Sequence, residues 1–174
     1  MARLRKAVSC RRIERPYTRV SKYREKGYIR ANPHRKIVRY VMGAASQKFP
    51  YVLELRSKSE LQIRDNSIEA ARQSSNRLLE KVVGPSNYIL RIRIFPHHIL
   101  RENPLAAGAG ADRFSTGMAH SFGKPIGSAA QIRKGQVIAE IHTVKEHIEN
   151  CRTAMKRIIN KIPTSCSILV RENT

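Results

Sequence analysis

The sequence predicts an α+β domain, a mostly antiparallel sheet covered by two helices, preceded by a basic N-terminal arm and interrupted by a long glycine-rich loop. Three observations carry that reading. Short segments of alternating polarity suit strands. Two longer segments repeat apolar residues at helical spacing. Positive charge is concentrated ahead of the first strand.

In chain order, residues 1–36 are the arm. The chain has 34 Lys and Arg against 13 Asp and Glu; of these, 14 basic residues but only Glu14 and Glu25 fall in the first 40 positions, which therefore hold +12 of the formal +21. Arg11, Arg12, Arg15, Arg19, Lys22, Arg24, Lys26 and Arg30 interleave with Tyr17, Tyr23 and Tyr28. Charge alone describes a solubilising tail. The tyrosines, with Pro16, Gly27 and Pro33, describe an arm that orders on RNA, rings stacking on bases while cations meet phosphates. With no apolar period to bury, the arm is expected to be mobile in the free protein.

Residues 37–174 read as a single α+β domain. Residues 37–41 and 51–55 are short strands, and 60–64 alternates cleanly with Leu61 and Ile63 on one face. Asn66 and Glu69 have capping-box spacing, opening a helix whose apolar face is Ile68, Ala71, Ser75, Leu78, Leu79 and Val82; Gly84 and Pro85 stop it. In 88–95, Tyr88, Leu90, Ile92 and Ile94 share one strand face, and Arg91 and Arg93 the other. The second half repeats the order: strands at 129–133 and 136–142, a capping box at Thr143 and Glu146, and a helix striped by Ile148, Cys151, Met155, Ile158, Ile159 and Ile162. Pro163 ends that helix, and 166–170 is the closing strand. The recurrence fits either an internal pseudo-repeat or ordinary α+β grammar. Leu61, Ile63, Leu78, Leu90, Ile92, Ile138, Ile148 and Ile168 are the expected core, shared by one sheet. Residues 103–125, rich in Gly and Ala and without a period, form a long mobile loop.

Catalytic and metal chemistries find little support. Gly117 to Lys124 differs from a phosphate-binding P-loop by one extra residue, and Pro125 replaces the magnesium-binding hydroxyl. His97 and His98, as strand neighbours, point to opposite faces. Asp112, Ser115 and His120 lack a nucleophile signature, and no carboxylate pair suggests acid–base work. Cys10, Cys151 and Cys166 are too dispersed for a zinc ribbon. The reading is no cofactor, no metal and no enzyme. No apolar stretch is long enough for a membrane span or secretory signal, so a soluble, cytoplasmic protein is expected. The surplus charge calls for an anionic partner, and nucleic acid fits best, because bound Lys and Arg release condensed counterions. Arg11, Arg12, Arg15, Arg19, Arg24, Arg91, Arg93, Lys124 and Arg133 are the expected contacts.

Ala109-Gly-Ala-Asp-Arg113, Gly117-Met118, Phe122-Gly-Lys-Pro125, Gly127 and Arg133-x-Gly135-Gln136-Val-Ile138 together resemble the ribosomal protein L-sixteen / L-ten-e family in its archaeal and eukaryotic form. Cys10-Arg11, Pro16-Tyr17, Lys36-Ile37, Gly43 and the Arg91/Arg93 strand before Pro96-His97 extend the resemblance over nearly the whole chain. It implies a non-enzymatic constituent of the large ribosomal subunit, bound to large-subunit rRNA near the 5S rRNA and the aminoacyl-tRNA site, with neighbouring ribosomal proteins around it. It also implies that loop 103–125 points toward the peptidyl-transferase centre, with Arg113, Met118, His120, Phe122, Gly123 and Lys124 nearest the tRNA, and that the protein joins late in assembly. The family has a basic residue after Gly-Met where this chain has Ala119, leaving His120 or Lys124 to substitute. An RNA-modifying enzyme and a free RNA chaperone are the rival readings; the first needs a cofactor pocket or acid–base pair, and the second would bind nucleic acids indiscriminately.

Overall fold

The computed structural model describes residues 5–18, 23, 32–102 and 123–173. Among the described residues, three helices, α1 (Val8–Arg11), α2 (Asp65–Val82) and α3 (Ile148–Ile159), accompany eight strands. These are β1 (Val41–Gly43), β2 (Tyr51–Ser57), β3 (Leu61–Arg64), β4 (Tyr88–Ile92), β5 (His98–Glu102), β6 (Lys124–Ile132), β7 (Val137–Thr143) and β8 (Cys166–Glu172). The α+β class and the antiparallel pairing hold, but the strands divide between two sheets, ordered β1-β4-β7-β2-β8 and β3-β6-β5.

Period-two alternation explains how the larger sheet faces. Register aligns Met42, Leu90, Ile141, Leu53 and Val170 across all five strands, and the first four are buried. One residue along, the row on the opposite face is Val41, Arg91, Glu140, Glu54 and Leu169. The apolar row faces the helices: α3 contacts β2, β7 and β8, while α2 contacts β3, β6 and β4 and so joins the two sheets. Leu53, Leu79, Ile141, Met155 and Ile158 are almost wholly inaccessible where helices meet sheet. Truncating any one of them to Ala costs about 2–5 kcal/mol.

The strand–helix–strand order does recur, but β3 and β4 lie in different sheets, whereas β7 and β8 share one. Of the expected core, Leu61, Ile63, Leu90, Ile92 and Ile138 are buried, while Leu78, Ile148 and Ile168 are only partly so. Val82 is 48% exposed, and the next residue, Val83, takes its inward place.

Several boundaries differ from the sequence reading. Residues 37–40 are not strand, although the Tyr40 carbonyl still accepts from Ile92 N–H at 2.8 Å. The strand read as 88–95 stops at Ile92, and the chain turns at buried Pro96 into β5, which was not foreseen. The loop read as 103–125 yields its last two residues, Lys124 and Pro125, to β6. Neither capping box forms. Helix α2 starts one residue before Asn66, with Asp65 in its first turn accepting from Asn66 N–H at 2.8 Å and Lys36 N–H at 3.3 Å. Glu69 turns instead to Arg72, 2.6 Å away, and that hydrogen bond holds its carboxyl below the usual range. Thr143 is buried in β7 with its hydroxyl donating to the Asn87 carbonyl at 3.2 Å, and a turn of 3-10 helix (Lys145–His147) precedes α3.

Candidate nucleic-acid interface

Residues 5–18 of the arm lie across the outer face of the three-stranded sheet rather than free of it. Gln62 of β3 donates its amide to the Ser9 carbonyl, and Gln131 of β6 donates to the Glu14 carbonyl at 2.9 Å. Tyr17 N–H donates to His98 Nδ1 at 2.7 Å, while Ile99 N–H donates to the Tyr17 carbonyl at 3.2 Å. The Arg101 guanidinium sits 3.6 Å from the centre of the Tyr17 ring, a close cation–π contact. Arg5 forks onto both oxygens of Glu102 at the end of β5. Polar positions that the sequence left facing solvent are thus the arm's anchors.

Docking of the arm builds a groove of about 970 Å³ between residues 13–16 and the β6–β7 turn. Arg15 enters it from the arm, Arg133 and Lys134 from the turn, and His97 from the β4–β5 connection. The turn is fixed by Gln136, whose side-chain oxygen accepts from Arg133 N–H at 3.0 Å. Two acids also line the groove, Glu14 and Glu60; the Glu14 carboxylate lies 3.2 Å from Arg12. The three Lys and Arg side chains outnumber those two acids, and the groove is open, which suits a phosphate backbone laid along it.

The other expected contacts are not gathered there. Lys124 stands at the far end of β6 from Arg133, about 30 Å away along an extended strand, exposed and paired across the ladder with Glu102. Arg11 and Arg12 are exposed on and just after α1. Arg91 and Arg93 lie on the open face of the five-stranded sheet, where carboxylates accompany them. Glu140 is 3.2 Å from Arg93, and Glu54, directly opposite Glu140, is held by Arg56 at 2.7 Å and Arg171 at 3.2 Å. His142, beside Glu140, is kept below its ordinary pKa first by burial and then by Arg91. Gly123 immediately precedes β6. Arg19, Arg24, Arg113, Met118, His120 and Phe122 lie outside the described residues.

Lys134 and His97 were missed as groove residues, because their proximity to Arg15 comes from arm docking, which has no local signature. Among the described residues, no group of three or more His, Cys, Asp or Glu is placed to hold a metal. Cys151 is fully buried and burial pushes its thiol up to about 11, so it is a packed core residue with no nucleophilic character at neutral pH. No helix among the described residues is long and apolar enough to cross a membrane.

His98 makes the docking pH-dependent. Its Nδ1 must be unprotonated to accept from Tyr17. Burial, followed by the nearby His97 and Arg101 charges, lowers its pKa below 6.5, with Glu14 opposing more weakly. The undocked imidazole therefore binds the proton better, so docking is complete above about pH 6.5 and weakens as pH falls through that value. The Ile99 amide, whose exchange is compared with the intrinsic base-catalysed rate at each pH, should be strongly protected at neutral pH and less protected near pH 5, and His98→Ala should remove the difference. Identical pH responses in both proteins would exclude His98 as the sensor.

The fold and the groove define a basic α+β scaffold. The model of the family Ribosomal protein L16p/L10e matches residues 14–169. Among curated relatives, the large ribosomal subunit protein uL16 of Archaeoglobus fulgidus is 44% identical over 162 residues, covering 93% of this chain and 90% of its own. The protein of that name in Methanococcus maripaludis is 45% identical over 167 residues, covering 96% and 94%. That of Staphylothermus marinus is 42% identical over 156 residues, covering 90% and 86%. The chain belongs to the ribosomal protein L16p/L10e family, whose members are structural ribosomal proteins and not enzymes.

Proposed function

We propose that this protein is a structural constituent of the large ribosomal subunit in the cytoplasm, bound to large-subunit rRNA through its arm, groove and basic strand positions. Family membership over residues 14–169 is the observation that carries this reading. The +21 formal charge and the arm-built groove give it a physical means. Arg11, Arg12, Arg15, Arg19, Arg24, Arg91, Arg93, Lys124 and Arg133 are the proposed rRNA contacts, with residues 1–36 acting as the arm and 37–174 as the rRNA-binding domain. The site lies near the 5S rRNA and the aminoacyl-tRNA site, among neighbouring ribosomal proteins. The segment 103–123 reaches toward the peptidyl-transferase centre with Arg113, Met118, His120, Phe122, Gly123 and, at the start of β6, Lys124 closest to the tRNA. The protein joins late in assembly and helps position tRNA during translation.

The placement is tested by a hydroxyl-radical source tethered at residue 120, through His120→Cys in a protein whose native cysteines are replaced, and carried in assembled large subunits. Cleavage is expected in the peptidyl-transferase rRNA and at the acceptor end of aminoacyl-site tRNA. Cleavage confined to distant rRNA would overturn the loop's assignment. Failure of the chain to stay with large subunits through a high-salt wash would overturn the wider reading.

A further inference from the structure

We propose that Phe95, with Arg35 laid on its ring and Tyr40 stacked beside it, is a platform on which one unpaired nucleobase of the bound RNA stacks. The inference rests on the RNA-binding reading above and deepens it. Phe95 follows β4, where alternation turns Ile94 into the core at 3% exposure and leaves Phe95 48% exposed. The ring is nevertheless organised. The Tyr40 ring lies 5.9 Å away, centre to centre, at 29° between planes, and the Arg35 guanidinium carbon is 4.6 Å from the Phe95 centre. Phe95 is thus already engaged by a ring and by a cation, the same stacking and cation–π attractions that a planar base would add to its exposed surface.

Two further observations favour a base over a core or protein contact. The Arg35 Nε and the Tyr40 hydroxyl are shielded from solvent and have no hydrogen-bond partner, so the fold gains no polar bond from either atom in holding the stack. The segments that build it, 32–41 and 93–98, contain Arg35, Lys36 and Arg39, besides Arg93, whose charge Glu140 shares, with three histidines and no Asp or Glu. A basic neighbour would be repelled there, whereas a nucleotide supplies both a π-face and a phosphate. The platform also adjoins the groove: His97, which lines the groove, donates its N–H to the Phe95 carbonyl at 2.9 Å. A strand whose phosphates meet Arg15, Arg133 and Lys134 therefore has a base within reach of Phe95.

The test compares wild type, Phe95→Ala and Phe95→Trp in the full chain. Each is titrated with a single-stranded oligoadenylate and with a fully paired RNA duplex of the same length, at stepped salt. The Ala variant should lose roughly 5- to 150-fold on the single strand, the range for one stacked base. Its salt slope and its duplex affinity should not change, and the Trp variant should bind as wild type does. Thermal melts check that both variants are folded. An unchanged single-strand affinity for the Ala variant overturns the platform. So does equal loss on both RNAs, which marks a general defect. So does normal single-strand binding by a variant that drops off large subunits, which marks a protein contact at Phe95. Failure of wild type to bind either RNA defeats the RNA-binding reading itself and is distinct from all three.

Discussion

Replacing Arg15, Arg133 and Lys134 together by Ala lowers the affinity for large-subunit rRNA by roughly 10²–10³-fold at about 0.1 M monovalent salt. The reasoning is counterion release. Each phosphate neutralised by a bound cation contributes a slope of about 0.7–0.9 to log K against log salt, which is close to a factor of 8 in affinity at about 0.1 M relative to 1 M. Three such contacts in one groove multiply. The same variant should flatten the salt slope by about 2 to 3. Removing Arg91 and Arg93 should cost less for two cations than the groove loses for any two. Arg93 already shares its charge with Glu140 at 3.2 Å, and a phosphate would have to compete with that carboxylate. Filter binding at stepped potassium chloride checks both. Parallel salt lines for wild type and the triple variant would mean that the groove meets no phosphate.

The difference between those two sets of arginines could not be read from the sequence. Arg91, Arg93, Arg15 and Arg133 look alike as letters in a basic chain. What separates them is register. Strand pairing sets Arg91 against Glu140 and Glu140 against Glu54, residues far apart in sequence, and so gives the open face of the larger sheet its own counterions. Arg15 and Arg133 meet because the arm lies down on the smaller sheet. The arm's anchors are mostly backbone groups, the carbonyls of Ser9 and Glu14 and both polar groups of Tyr17. Backbone groups carry no residue code; of their partners, Gln62 and Gln131 fall within strands read from the sequence with no signal of a contact, and His98 begins β5, which the sequence did not show.

Local signals fared better. The Tyr88, Leu90, Ile92, Ile94 alternation gave the inward face correctly, since the pleat alone decides it; all four are buried. The helix stripes placed Ile68, Ala71, Ser75, Leu79, Cys151, Met155 and Ile158 in the interior for the same reason. Strand β5 escaped notice because Pro96 and two histidines interrupt the polarity pattern, and its identity comes from pairing with β6 beyond residues 103–122. The division into two sheets is likewise a matter of which distant strands pair. The capping boxes had the right spacing but lost to local competition: a carboxylate at Asp65 fills the first turn of α2, and Glu69 gains more from a two-pronged bond to Arg72. The family resemblance succeeded because its motifs are fixed spacings of particular residues, a signal that does not depend on which distant strands pair.

Gly43→Ala should unfold the domain about 10 °C below wild type, far out of proportion to one added methyl group. Gly43 ends β1 with φ +88°, a conformation in which a side chain costs about 1–2 kcal/mol. Space is the larger obstacle. A Cβ built there would lie 2.2 Å from the carbonyl oxygen of Tyr88 on the neighbouring strand. That carbonyl cannot simply withdraw, because it accepts from Ala44 N–H at 3.0 Å. Tyr88 is itself 1% exposed, and its hydroxyl donates to Asn76 of α2 at 2.8 Å, in surroundings where burial pushes its pKa up to about 12. Displacing it would open the β1–β4 edge and loosen the helix above, at about 1–3 kcal/mol for overpacking in addition to the backbone strain. A total of roughly 2–5 kcal/mol corresponds to about 4–20 °C in a domain of this size. Gly84→Ala is the control: its φ is +85°, but the nearest atom to an added Cβ is the Asn87 amide nitrogen at 4.0 Å, so only the conformational cost applies. Melting the two variants side by side separates strain from collision. If they melt together, the close approach of β1 to Tyr88 carries no weight in the stability of the domain.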